Sequence, residues 1–204
     1  MAQTAKRRLV IAQKENSILD AAGELFVANG YESTTLRKIA AKVEINPATI
    51  YNYYKSKEEI FFALQKRAFS KFYEEFADVR KSDARGIVKL RKMGRKYVNF
   101  ALKNQNIYEL MFIMKNPMRA AEEHDPTWEI GGKNYELLKE TLQECIEEDS
   151  VKFRDVESGA FMIWSMIHGL VSLVIMERCQ MMLEENLEYV TREAHLIFER
   201  LIEK

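Results

Sequence analysis

The chain has 204 residues, of which 47% are hydrophobic and 30% charged, with only 8 Gly and 3 Pro. That balance excludes a disordered chain, disfavours a turn-rich all-β fold and leaves enough apolar material for a substantial core. Lys plus Arg and Asp plus Glu both number 31, so affinity for a polyanion has to come from uneven placement of charge and not from an excess.

Lys6, Arg7 and Arg8 followed by Leu9 to Ala12 imitate the start of an export signal, but Gln13, Lys14 and Glu15 end the apolar run after four residues. Ile18, Ala21, Ala22, Leu25 and Phe26 then recur at the spacing of one helical face, and Asn29-Gly30 supplies a left-handed stop, which predicts a first helix. After Tyr31-Glu32-Ser33, Thr34 or Thr35 caps a second helix with Leu36, Ile39, Ala40 and Val43 turned inward. Asn46 as N-cap and Pro47 at the first helical position announce a third helix. Ser56 with Glu59 forms a capping box for the next one, so the third is confined to about Pro47 to Tyr54. The fourth continues through Ile60, Phe61, Leu64, Ala68, Phe72 and Phe76.

Further helices are expected over Gly86 to Lys103 and Ile107 to Lys115, then a loop between Pro117 and Pro126, then helices near Trp128 to Glu148, Asp155 to Cys179 and Asn186 to Glu203. The fold class read from this is all-α, with a head at 1–57 and a helical body at 58–204. Ser158 to Met176 is 19 residues without formal charge, long enough for a bilayer span. It nevertheless holds Ser158, Ser165, His168 and Ser172, lies between Glu157 and Glu177, and lacks a basic cluster to orient it. The expectation is a buried helix shared between its own core and a partner subunit, and no membrane. Cys145 and Cys179 are too few for a disulfide framework, which with the failed export signal points to the cytoplasm.

Residues 1–57 hold nine basic side chains (Lys6, Arg7, Arg8, Lys14, Arg37, Lys38, Lys42, Lys55, Lys57) against five acidic ones (Glu15, Asp20, Glu24, Glu32, Glu44), a surplus of +4 that leaves −4 for the rest. A basic head on an acidic body suits a nucleic-acid reader with a separate regulatory part. Two short helices joined by a tight turn fit the major groove, which admits one helix. With Ile45, Ile50 and Tyr54 facing inward, Ala48, Thr49, Tyr51, Asn52 and Tyr53 are left for the duplex, where hydroxyls and an amide bond phosphates and base edges. Lys57 stands at a helix start, where the dipole disfavours a cation and a phosphate would favour one. No paired carboxylates, nucleophile and base, metal-ligand spacing or cofactor motif is present, and His124, His168 and His195 are scattered, so the chain does not read as an enzyme. A protein-binding adaptor would not need the Thr49, Tyr51, Tyr53, Lys57 set.

The stretch from Ile18 to Leu64, ILDAAGELFVANGYESTTLRKIAAKVEINPATIYNYYKSKEEIFFAL, resembles the N-terminal domain of tetracycline-repressor (TetR) family regulators. The resemblance covers 47 residues through the pattern AA..LF...GY..TT...IA followed by.TIY.YY.SKE. It implies phosphate contacts from Thr35, Tyr51, Tyr53 and Lys57, and base-edge contacts from Arg37, Pro47, Ala48, Thr49 and Asn52. Glu44 and Ala48 depart from it, since Gly is usual at the turn and near the start of the third helix. A left-handed backbone at Glu44 would cost roughly 1 kcal/mol.

For the body, the resemblance implies an internal ligand pocket and a four-helix dimer interface from the last two helices of each subunit. The uncharged Phe161 to Met176 stretch, with Leu187, Val190, Ala194, Ile197, Phe198 and Leu201, offers apolar faces that a monomer would struggle to cover. A homodimer of this kind binds a palindromic double-stranded operator. Tyr97, Phe100, Tyr108, Met111, Phe112, Trp128, Tyr135, Trp164 and His168 are the candidate contacts for a small apolar or aromatic effector, since aromatics build an adaptable pocket and a Tyr, Trp or His can orient its occupant. The function expected is that of a repressor whose operator binding the effector modulates.

Overall fold

The computed structural model describes residues 2–114, 129–178 and 187–204. Among them run helices α1 (Ala2–Asn29), α2 (Leu36–Lys42), α3 (Pro47–Ile50), α4 (Lys57–Arg80), α5 (Gly86–Lys103), α6 (Gln105–Phe112), α7 (Glu129–Glu147), α8 (Val156–Ile175) and α9 (Leu187–Ile202). They fall into two compact units. One is Met1–Ala68 with the stretch opening at Asn106; the other is Phe69–Gln105 with the stretch opening at Glu129. Helix α4 belongs to both.

In the first unit Ile18, Ala22 and Phe26 of α1, Ile39 and Ala40 of α2, Ile50 of α3, and Ile60 and Phe61 of α4 close around one core. Tyr31 ties its corner together. Its ring lies 5.3 Å from Phe26 and 5.4 Å, edge-on, from Phe61, while its hydroxyl donates to Glu58 at 2.9 Å. Burial of the phenol, with the Glu58 carboxylate beside it, pushes the Tyr31 pKa far above its ordinary value. Thr34 is fully buried, its hydroxyl within bonding distance of the carbonyls of Leu25 and Gly30. Thr35 is therefore the cap of α2, accepting from the Lys38 N–H at 3.2 Å.

Two expectations for this unit are corrected. The first helix starts at Ala2 and not near Ile18: the stretch before Ile18 contains no Gly or Pro, so good helix formers prolong the helix without an apolar face to reveal it. The third helix is only Pro47–Ile50. Beyond it the Asn52 and Tyr53 amides reach back to the carbonyls of Thr49 and Ile50 in tight turns, at 3.1 and 3.0 Å. The caps are as read, with Asn46 accepting from the Ala48 amide at 2.8 Å and Ser56 from Glu59 at 3.1 Å. Glu59 reaches back one residue further than a capping box requires, to the Lys55 amide at 2.6 Å.

Helix α2 ends in a Schellman motif: the Ile45 amide bonds the Ala40 carbonyl at 3.0 Å, the Glu44 amide bonds Ala41 at 3.2 Å, and Glu44 sits at φ 54°. Asp149 and Glu177 close α7 and α8 in the same way, with φ 51° and 52°.

In the second unit α5, α7 and α8 pack on one another, and α9 packs on α8 and α5. A Cβ on Gly86 would lie 2.9 Å from the backbone nitrogen of Cys145, so only Gly lets α5 start this close to the end of α7. Arg80 pairs with Glu144, which also takes the Lys89 ammonium at 3.0 Å. Arg91 pairs with Glu203, and Val151 bridges Glu203 through the backbone. Helix α8 is long and apolar enough to cross a membrane, yet Gly159, Ala160, Ile163, Ile167 and Val171 line its buried side. Its ends, Asp155 as N-cap and Met176 as C-cap, lie inside the expected range, while Trp128, Cys179 and the Pro117 to Pro126 loop lie outside the described residues.

Relieving the left-handed strain at Glu44 should stabilise the protein. Glu44→Gly is expected to gain up to about 1 kcal/mol in urea melts, while Gly86→Ala, which forces a side chain against backbone, should lose about 1–3 kcal/mol. A lower midpoint for Glu44→Gly would contradict the turn geometry.

Candidate nucleic-acid interface and ligand cluster

Asn46 and Pro47 set the start of α3, and Ile50 (0% exposed) and Tyr54 (8%) anchor its underside. Ile45 packs on the same core. Burial raises the Tyr54 pKa to about 12, with the Glu15 carboxylate of α1 adding to the shift. Pro47, Ala48, Tyr51 and Asn52 are consequently exposed, and Thr49 is half-buried. Tyr53, expected on the outside, is half-buried and packs in part against the core. On α2, Thr35 and Arg37 are exposed, and Arg37 has no charge partner among the described residues.

Lys57 has an explanation that the sequence did not offer. Its ammonium donates to the Tyr31 carbonyl at 2.8 Å and stands 4.0 Å from the Tyr31 ring centroid, so an intramolecular carbonyl and π-face offset the adverse helix dipole. An ammonium has three donors, which leaves capacity for a phosphate as well.

The aromatic candidates divide between the two units. Tyr97, Phe100, Tyr135, Trp164 and His168 come together in the second. Phe72 lies 5.3 Å from Tyr97 and 5.0 Å from Phe100, and the Tyr97 hydroxyl meets His168 Nδ1 at 3.0 Å. The His168 ring is 5.7 Å from Trp164, which is 6.0 Å from Tyr135. Tyr108, Met111 and Phe112 belong to the first unit, where the Tyr108 and Phe112 rings lie 4.9 Å apart, tilted by 49°.

Asn134, a residue the sequence did not single out, is 7% exposed on α7. Its Nδ2 donates to the carbonyls of Phe69 at 3.1 Å and Ile130 at 2.9 Å, which fixes the amide orientation and leaves Oδ1 buried without a donor among the described residues. Burial pushes the Cys145 thiol up to about 12, so it is an unreactive core group. Among the described residues no cluster of His, Cys, Asp or Glu has the makings of a metal site.

Burial also lowers the His168 pKa below its ordinary 6.5. The unfolded chain then takes up a proton that the folded chain does not, so His168 contributes stability above pH 6.5 that is lost as pH falls toward the folded value. Melts taken from about pH 8 down to about pH 5 should steepen in the parent relative to His168→Gln. Equal slopes would show that the ring is not held neutral.

Residues 18–64 match the family model for bacterial regulatory proteins of the tetR family, and residues 90–197 match the tetracyclin repressor-like C-terminal domain. The chain is similar to the fatty acid metabolism regulator protein of Bacillus subtilis (strain 168), with 32% identity over 94 residues, 46% of this chain and 48% of the relative. It thus spans about half the length of that relative. The uncharacterized HTH-type transcriptional regulator YobS of the same organism is 24% identical over 170 residues, 83% of this chain and 82% of YobS. Among solved structures, the regulator FadR from Bacillus subtilis in complex with stearoyl-CoA superposes with a TM-score of 0.72 at 23% identity, covering 91% of this chain and 98% of that one. The C-terminal match alone takes in more than half of the chain, and the capped α2–turn–α3 head lies inside the N-terminal one: the protein is a member of the tetR family of bacterial regulatory proteins.

Proposed function

We propose that the protein is a homodimeric, cytoplasmic transcriptional repressor that reads a two-fold symmetric operator with its head and whose binding a fatty acyl ligand modulates. One observation carries the DNA-reading part. Ile50 and Tyr54 are held in the core, so Pro47, Ala48, Tyr51 and Asn52 are presented on the outside of a capped turn. In this reading Thr35, Tyr51, Tyr53 and Lys57 bond phosphates, and Arg37, Pro47, Ala48, Thr49 and Asn52 meet base edges. The head is residues 1–57 and the ligand-binding and dimerising body is 58–204, with α4 as the covalent lever between them.

The ligand class rests on the named relatives. A fatty acid metabolism regulator shares 32% identity with part of the chain, and the solved FadR carries stearoyl-CoA. The Tyr97, Phe100, Trp164 and His168 cluster offers such a chain an apolar wall with a polar pair in it, and Asn134 Oδ1 offers an acceptor for a ligand N–H. Dimerisation is supported by a stripe of exposed apolar residues along α8, Met162, Met166 and Leu173 with its C-cap Met176, with Phe161 beside it, and by Ile197 and Leu201 on α9. A second copy suits this stripe better than lipid, because the other side of α8 is the core of its own unit.

On a duplex enriched from a random pool, Asn52→Ala should relax the preference at one base pair and cost about 1–3 kcal/mol there. Stearoyl-CoA should raise the melting temperature and change the affinity for that duplex, and Trp164→Ala should weaken both effects. Met166→Glu should shift sedimentation from dimer to monomer. An enriched site that ignores Asn52, or a ligand that binds without altering DNA affinity, would contradict the proposal.

A further inference from the structure

The two ends of the Asn134 amide are treated differently. Nδ2 donates to the main-chain carbonyls of Phe69 at 3.1 Å and Ile130 at 2.9 Å. Both carbonyls lie inside helices, α4 and α7, where the main chain already gives them a partner. The Nδ2 bonds therefore rescue no open group. What they do is fix the direction of Oδ1, because a carbonyl accepts only and turning the amide round would set oxygen against oxygen. The side chain is 7% exposed, and Oδ1 meets no donor among the described residues. A leucine of similar volume would fill the same space without leaving a buried acceptor open, so stability of the fold does not account for an asparagine here.

Asn134 sits beside the aromatic cluster of its own unit. Phe69 and Phe72 are three residues apart on one face of α4, and Phe72 stands against Tyr97 and Phe100. On α7 the next residue, Tyr135, lies 6.0 Å from Trp164. The cluster contains no Lys or Arg, and the neighbouring cations are engaged elsewhere. Lys133 is exposed and paired with Glu129, Lys139 is paired with Glu136 and Glu157, both at 2.8 Å, and Lys96 with Glu75 at 3.7 Å. Burial holds His168 neutral at about pH 7, so it adds no positive charge. An ionised carboxylate placed here would be buried without a cation and would face the lone pairs of Oδ1, so desolvation and repulsion both oppose it. An uncharged N–H or O–H group has the opposite balance, since its desolvation is offset by a bond to an acceptor that is otherwise open.

We propose that Asn134 is the specificity-determining residue of the ligand cluster, selecting a ligand whose buried polar group is uncharged and carries an N–H or O–H donor, and rejecting one that ends in a carboxylate. This rests on the ligand reading above and narrows it from an acyl chain in general to the chemistry of the group next to that chain.

The test uses the full chain and three probes of equal chain length, decanamide, methyl decanoate and decanoate, beside stearoyl-CoA, with binding followed by calorimetry at about neutral pH. Decanamide should bind roughly 10- to 100-fold more tightly than methyl decanoate, which has no donor, and decanoate should bind most weakly. In Asn134→Leu the advantage of decanamide over methyl decanoate should shrink to within about 3-fold, while methyl decanoate binds at least as well as before. A purely structural role would lower the affinity for both probes by one common factor, and that result would overturn the proposal. The parent chain decides the matter even where Asn134→Leu does not fold. Equal affinities for decanamide and methyl decanoate, as expected of an acceptor that holds a water, would overturn it, and so would a preference for decanoate or binding of stearoyl-CoA with none of the short probes. In each of these cases bound stearoyl-CoA leaves the ligand reading standing, whereas a parent that binds none of the four overturns both.

Discussion

Ile50 and Tyr54 leave the surface together, one from the last turn of α3 and the other from the turn after it, and enter a core made by Phe26, Ile39 and Phe61. Truncating a buried residue of this kind costs about 2–5 kcal/mol, so the pair fixes the rotation of a helix that at four residues has almost no stability of its own. Asn46, Pro47 and Ser56 define where that helix starts and where the next begins, and the core defines which way it faces. The exposed hydroxyl and amide groups owe their position to burial on the opposite side. Tyr31 extends the same logic to α4, because its ring, hydroxyl and carbonyl engage Phe26, Phe61, Glu58 and Lys57 at once.

Local strain is distributed in a consistent way. Three helices end with an acidic residue in the left-handed region, Glu44, Asp149 and Glu177, where Gly would be relaxed and where the helix dipole disfavours negative charge. Asp149 recovers part of the cost through Arg154 at 3.0 Å and an ion pair with Lys204, which lowers its pKa. At Glu44 the return is positional: the motif turns Ile45 back onto the core and aims the chain into Asn46 and α3.

Much of this was legible in the sequence, for identifiable reasons. Gly86–Lys103 could be bounded because Gly opens it and the apolar face repeats cleanly to its end, and the starts of α2, α3 and α4 could be placed because side-chain caps announce themselves within three residues. The first turns of α1, before Ile18, escaped because periodicity detects only a helix with a buried face. The anchoring roles of Tyr31 and Asn134 escaped because bonds such as Lys57 to Tyr31 or Asn134 to Phe69 join positions 26 and 65 residues apart and leave no local pattern. The aromatic candidates were alike in composition, and only the fold shows that Tyr97, His168 and Trp164 meet within one unit while Tyr108, Met111 and Phe112 belong to the other.

If burial of Ile50 and Tyr54 is what aims the head, binding should be felt most strongly at the backbone between them. Hydrogen exchange of the full chain, with and without a selected duplex, reads this directly. Amides from Ala48 to Lys57 should gain protection on DNA while those of α7 stay unchanged. Protection confined to the body, with that turn exchanging as it does in the free protein, would contradict the account.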